Sequence, residues 1–180
     1  MSVSQSVLPT QTEVFGKAVS AILAAMMAIQ SRAERILAAN GISPLREDTW
    51  YPLESVLQTF RDIQAQIGPN TVRAVGRKIP ETAPFPAIHS MEEALRGLDV
   101  AYQMNHRGTS NIGGYHYTPT GERSGRVLCD NPYPCEFDEG LIDALTERYR
   151  PKDSFFIRVT HEPGACRQHD DTGCTYLVAW

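Results

Sequence analysis

The sequence predicts an α+β fold: a helical N-terminal half followed by an antiparallel β-hairpin, a helix and a second β-hairpin. Three observations predict it. Apolar residues keep helical spacing through most of the chain up to Gly108. After Gly108 the texture changes to short aromatic and β-branched runs separated by glycine-containing turns. Strands that follow one another directly in sequence favour antiparallel pairing over a parallel sheet with crossovers.

The first long segment, Glu13 to Asn40, places Phe15, Val19, Ile22, Met26, Ile29, Ala33 and Ile36 at steps of four and three, the spacing of a coiled-coil seam. Asn40-Gly41 closes it. Leu23, Met27 and Leu37 widen the stripe, as packing on the helix's own domain would require. The expectation adopted is an N-terminal helix within residues 1–45 that pairs two copies into a homodimer, ahead of a ligand-binding domain over 46–180.

In "WYPLESVLQTFRDIQAQIGPN", Leu53, Val56, Leu57, Phe60, Ile63 and Ile67 keep helical spacing until Gly68-Pro69. A short helix over Thr71–Ile79 precedes the proline-rich loop "IPETAPFPAI". Ser90, with Glu93 three positions on, forms a capping box that opens the next helix. Its buried face is Met91, Ala94, Leu95, Leu98, Ala101 and Tyr102. Strands are expected at Tyr115–Thr118 and Gly125–Cys129, a helix from Cys135 to about Tyr149, and strands in "SFFIRVTHEP" and "GCTYLVAW".

Composition excludes several functions. The net charge is −4, and basic residues are scattered with no run longer than two, so nucleic acid is not an expected partner. The N-terminus has no signal-peptide pattern. The apolar stretch Ala18–Ile29 is too short to cross a bilayer, which needs about 20 residues. A cytoplasmic location is expected, where four reduced cysteines suggest a metal or a reactive group before disulfides. No G-x-S-x-G, H-E-x-x-H, phosphate loop or dinucleotide fingerprint is present, and catalysis is not expected.

The cysteines raise the sharpest question. "NPYPCEFDEGLIDAL" puts Cys135 at a helix start, where backbone N–H groups and the helix dipole favour a thiolate. Cys166 and Cys174 flank "CRQHDDTGC", and a hairpin there would bring them together. Three sulfurs and one further ligand would complete a closed zinc tetrahedron, with His161, Glu162, His169 and Cys129 as candidates for the fourth place. Spacing alone leaves buried free thiols or a disulfide open.

On "NPYPC", "EFDEGLIDAL", "CRQHDDTGC" and "TYLVAW", with Cys166 and Cys174 eight positions apart, the C-terminal part resembles the 4-vinyl reductase domain family. That family includes aromatic-sensing input domains of phenol- and xylene-responsive activators and is similar in fold to TRAPP vesicle-tethering subunits. The resemblance implies a structural zinc held by Cys135, Cys166 and Cys174 with a carboxylate upstream of the second. Pro163 stands where that carboxylate is expected, and His161 is taken as the substitute.

It also implies a pocket for a small apolar or aromatic molecule in a sensory or regulatory domain, with Trp50, Tyr102, His106, Tyr115 and Tyr117 as candidate lining. Each of these has core packing as its ordinary alternative. The competing function is a pigment-handling protein or reductase-associated enzyme. A haem or other tetrapyrrole would then sit at His106 or His116, although no C-x-x-C-H motif is present. Asn105, His106 and Arg107 are read as a helix cap or, alternatively, as a carboxylate site.

Overall fold

The computed structural model describes residues 11–108, 111–169 and 172–180. Most of the N-terminal segment read for a targeting signal lies outside the described residues, as do Asp170 and Asp171 of the terminal loop. The chain opens with strand β1 (Glu13–Phe15), the short helices α1 (Gly16–Val19) and α2 (Ala21–Ala25), a 3₁₀ turn at Met27–Ile29, and α3 (Gln30–Ala39). Strand β2 (Trp50–Pro52) leads into α4 (Leu53–Gln66), α5 (Pro69–Thr82) and α6 (Met91–Met104). Then come β3 (His106–Arg107), the hairpin β4 (Tyr115–Gly121) and β5 (Ser124–Cys129), α7 (Cys135–Arg148), β6 (Arg158–His161), a 3₁₀ turn at Arg167–His169, and β7 (Cys174–Ala179).

Two antiparallel sheets result, in orders β2-β1-β3 and β4-β5-β7-β6. The first sets Val14 between Tyr51 and His106. The second sets Cys129 between Tyr115 and Cys174. The α+β class read from the sequence is the class the chain adopts.

The N-terminal segment departs from expectation. It is a strand and three short helices, interrupted at Ser20, which itself keeps helical backbone angles, and across Met26–Ile29, where Met26 and Ile29 leave helical values. The expected single dimerisation helix is therefore corrected. Its seam residues Val19, Ile22, Met26, Ala33 and Ile36 are buried inside this chain, in one hydrophobic cluster with Ile63, Leu95 and Ile142. The physical reason is tertiary: Glu13–Phe15 is claimed by two partner strands, and Gly16 lies so close to the following loop that a Cβ there would meet the Arg46 carbonyl oxygen at 2.0 Å. Heptad spacing reports a buried stripe and is blind to what buries it.

Helix α6 begins as expected, with Ser90 Oγ accepting from the Glu93 N–H at 3.1 Å, while the Glu93 carboxylate accepts from the His89 N–H at 2.8 Å. The expected strand in "SFFIRVTHEP" shrinks to Arg158–His161, the residues that pair with β7, and Phe155 lies outside it at 98% exposure.

Helix α7 is fixed by its crossing with α5. A Cβ on Gly76 would lie 2.0 Å from the Phe137 carbonyl oxygen, and one on Gly140 would lie 2.1 Å from that of Arg73. The two backbones touch at this pair of glycines. Flanking ion pairs from Arg73 to Glu139 (3.2 Å) and from Arg77 to Glu147 (2.6 Å) set the register. The helix that starts at Cys135 is thus held rigidly against the body of the domain.

Candidate functional site

The segment Asn131–Asp138 divides its side chains among three environments. Tyr133 and Phe137 stack with centroids 4.9 Å apart and face an apolar cavity. Cys135, the first residue of α7, joins a group of sulfurs. Asn131 and Asp138, both buried, reach for Arg167. Pro132, exposed, and Pro134, half-buried, alternate with the buried Asn131, Tyr133 and Cys135 and stiffen the approach to the helix.

Cys135, Cys166, Cys174 and His161 converge, with one ligand atom from each lying within 4.8 Å of all the others. The Cys135 Sγ is 3.1 Å from that of Cys174 and 3.5 Å from that of Cys166, and Cys166 and Cys174 are 3.8 Å apart. These separations exceed a disulfide bond of about 2.05 Å. An ion bonded tetrahedrally to three sulfurs at about 2.3 Å would hold them about 3.8 Å apart, which the Cys166–Cys174 separation matches and the two Cys135 separations fall short of. His161 Nε2 is buried without a hydrogen-bond partner among the described residues, which a metal bond would resolve.

Of the other candidates for the fourth place, Glu162 is paired with Arg126 at 2.6 Å. Cys129 sits in β5 with the Val127 carbonyl 4.0 Å from its sulfur, and neither it nor His169 belongs to the cluster. Burial pushes the Cys174 thiol up, but hydrogen bonding with Arg167, His161 and Cys135 outweighs this and brings it down to about 7. Burial, with Cys174 and Cys166 alongside, pushes Cys135 up. Three thiols this close could give up their protons together only with a cation among them.

Arg167 ties this cluster to the rest of the core. Its backbone N–H and Nε donate to the Cys174 sulfur at 3.4 and 3.5 Å. Its guanidinium pairs with Asp138, which is fully buried, and donates to Asn131 Oδ1 at 2.8 Å. Asp138 also accepts from the Tyr115 hydroxyl at 2.5 Å and from Asn131 Nδ2 at 3.4 Å. Full burial pushes the Asp138 carboxyl up, and Arg167, Tyr115 and Asn131 pull against it. An unbroken polar chain therefore runs from Cys174 through Arg167 and Asp138 to Tyr115.

Tyr115 lines the cavity. The cavity has a volume of about 50 Å³ and a lining that is apolar except for Tyr102, Asn105, His106, Tyr115 and Tyr133, with Phe60 and Phe137 among its walls. His106 is held at both ring nitrogens: Nδ1 lies 2.6 Å from the Tyr102 carbonyl oxygen and Nε2 lies 2.8 Å from the Tyr133 hydroxyl. The carbonyl can only accept, so Nδ1 carries the proton and Nε2 accepts from Tyr133. Burial pushes this imidazole down to about 4, against the raising effect of the Tyr102 carbonyl.

Of the residues expected to line a pocket, Tyr102, His106 and Tyr115 are at the cavity. Trp50 is not: its ring packs on Phe15 at 5.0 Å and beneath Arg107 at 4.6 Å. Tyr117 lies under Arg96 at 5.2 Å, outside the cavity lining. His116 pairs with Asp130 at 2.9 Å on the surface. The suggested carboxylate site at Asn105–Arg107 is dispersed, since Asn105 is buried, His106 faces the cavity and Arg107 pairs with Glu13 at 2.5 Å. Sequence reasoning passed over Tyr133, Asn131, Asp138 and Arg167. The available signal was a carboxylate on the buried side of α7, which demands a partner.

Neither a family model nor a curated protein matches the sequence. The fold does match solved structures. An H-NOX protein from S. oneidensis in the Fe(II)NO ligation state aligns with a TM-score of 0.65 at 11% identity, over 91% of this chain and 97% of that one. A point mutant of T. tengcongensis H-NOX aligns with a TM-score of 0.63 at 15% identity, over 90% and 94%. A structure described as modulating haem redox potential through protein-induced porphyrin distortion gives 0.62 at 16% identity, over 92% and 94%.

The fold is thus similar to that of H-NOX domains, and the resemblance to the 4-vinyl reductase family is corrected. That resemblance rested on local cysteine spacing and on helix order, neither of which fixes a family.

Haem, which the fold likeness brings forward, does not fit the residues present. Pockets that hold drug-sized ligands run to about 300–1,000 Å³, far more than this cavity offers, and a tetrapyrrole is a large ligand. His106 is the sole histidine of the lining, and the one lone pair of its neutral ring is taken by Tyr133.

Proposed function

We propose that this chain is a small-molecule-binding sensory or regulatory domain whose cavity wall is clamped by one structural zinc ion, and that it works without haem. The observation that carries the reading is the convergence of Cys135, His161, Cys166 and Cys174 on one centre, through a segment that also forms the cavity wall. Three sulfurs and one nitrogen make a closed tetrahedron with no open position, which suits zinc in a structural role. Bound there, the ion supplies the positive charge that three thiolates need and joins α7 to the terminal hairpin. Arg167 adds a second cation on the Cys174 side and passes the geometry on to Asp138 and Tyr115. A change at the cavity that moves Tyr115 or Tyr133 would reach the cluster through these bonds, and a change at the cluster would reach the cavity.

The second reading is a haem or tetrapyrrole protein, favoured by the likeness to H-NOX structures. One experiment separates the two. Purified protein is analysed for metals and then titrated with haemin under reducing conditions. The proposal expects about one zinc per chain and no saturable Soret band. A stoichiometric Soret band lost in His106→Leu, with substoichiometric zinc, would establish the second reading instead.

A further inference from the structure

The polar groups around the cavity can be accounted for one by one. The Tyr102 hydroxyl donates to the Ile112 carbonyl at 2.9 Å, that of Tyr115 to Asp138 at 2.5 Å, and that of Tyr133 to His106 at 2.8 Å. His106 spends its N–H on the Tyr102 carbonyl at 2.6 Å. Asn105 Nδ2 spends its two protons on the Pro84 and Ala101 carbonyls, at 2.9 and 2.8 Å. Every side-chain donor of the lining is used. One acceptor is not: Asn105 Oδ1 is buried without a partner among the described residues, on a side chain only 4% exposed.

A buried carbonyl left without a donor carries a free-energy penalty, and native structures rarely keep one without reason. The cavity therefore has an apolar lining that includes one residue with an unpartnered acceptor and no unused side-chain donor. Among its lining residues no side chain carries a full charge, since His106 is neutral at physiological pH and the rest are tyrosine, asparagine and apolar groups. Size narrows the occupant further. The space, about 50 Å³, is roughly a third of the ~150 Å³ engineered cavity that takes up benzene. It admits a molecule of a few non-hydrogen atoms and excludes a substituted ring.

We propose that the cavity binds a compact, neutral hydroxyl compound of the short-chain alcohol class, which donates its O–H to Asn105 Oδ1 and buries its alkyl part against the apolar wall. This rests on the reading of the cavity as a ligand site and specifies its chemistry. Carbonyl compounds of the same size gain nothing at Asn105, and carboxylates would have to enter uncharged or unpaired.

The test uses the purified 180-residue chain and follows backbone amide shifts of residues 98–106 and 133–141 with four probes: xenon, 2-propanol, acetone and acetate. 2-Propanol and acetone have the same number of non-hydrogen atoms and differ in the donor. Saturable shifts with 2-propanol, at a Kd about fivefold or more below that of acetone, and none with acetate, support the proposal. Equal affinity for 2-propanol and acetone overturns it. If xenon alone occupies the cavity, the alcohol assignment fails while the cavity stands as a site; if no probe shifts these amides, the ligand-site reading itself fails. Asn105→Leu is expected to keep xenon and lose the preference for 2-propanol. Should that variant not fold, because Asn105 also holds Pro84 and Ala101, the wild-type probe series still decides.

Discussion

Replacing Arg167 by methionine removes the cation from an ion pair whose carboxylate is wholly buried and whose guanidinium side chain is 13% exposed. Asp138 is left with Tyr115 and Asn131 as its donors. Breaking a buried pair by deleting one partner costs about 3–5 kcal/mol, and the two surviving donors place the expected loss near 3 kcal/mol. For a chain of this length each kcal/mol lowers Tm by about 2–4 °C, so a drop of about 6–12 °C follows. The pH dependence has a definite sign. Burial already holds the Asp138 pKa above its ordinary value with Arg167 in place, and loss of Arg167 raises it further, so the folded variant is penalised as pH rises through the new folded pKa and spared below it. Urea unfolding of wild type and R167M, with matched metal content, should show a gap that is largest at neutral pH and narrows on acidification. Adding Asp138→Asn to R167M should recover part of the loss. A neutral-pH gap under about 1 kcal/mol, or one that widens in acid, would refute the role given to this pair.

Other consequences are equally direct. Gly76→Ala or Gly140→Ala forces a methyl group to within about 2 Å of a carbonyl oxygen, which should cost upwards of about 3 kcal/mol in urea unfolding; a neutral result would mean that the helix crossing is looser than described. His106 titrates near 4 when folded and near 6.5 when unfolded. Its contribution is complete above 6.5 and is lost as pH falls towards 4, by up to about 3 kcal/mol, and His106→Leu should flatten that part of the stability–pH curve. Cys174→Ser should lower bound zinc well below one per chain and destabilise the terminal hairpin, as read by metal analysis and amide exchange over 158–179; retention of full metal content would remove Cys174 from the ligand set. Ser90→Ala should cost about 1 kcal/mol by removing the α6 cap and leave metal content untouched.

The sequence showed most where the determinants are local. Ser90 and Glu93 announce a helix start by spacing alone, and the alternating residues of β5 and β7 announce half-buried strands. What depends on distant partners was hidden. Glu13–Phe15 looks helical until β2 and β3 are known to claim its backbone. The glycines at 76 and 140 carry no mark in the sequence of the crossing they permit. Arg167 and Asp138 are ordinary charged residues in a loop and a helix, and only the fold makes them a buried pair. The thiol cluster lay between these cases. Three cysteines and a histidine invited a site, and the suitability of imidazole beside thiolates already favoured His161 over Glu162; the fold adds that Glu162 is turned towards Arg126.

Zinc K-edge X-ray absorption on the protein as purified addresses the central claim most directly. The expected spectrum contains about three sulfur scatterers near 2.3 Å and one nitrogen near 2.0 Å, with one zinc per chain and loss of a sulfur shell in Cys174→Ser. A first shell dominated by oxygen or nitrogen, or protein that folds fully with no metal and an unchanged cavity, would contradict the clamp.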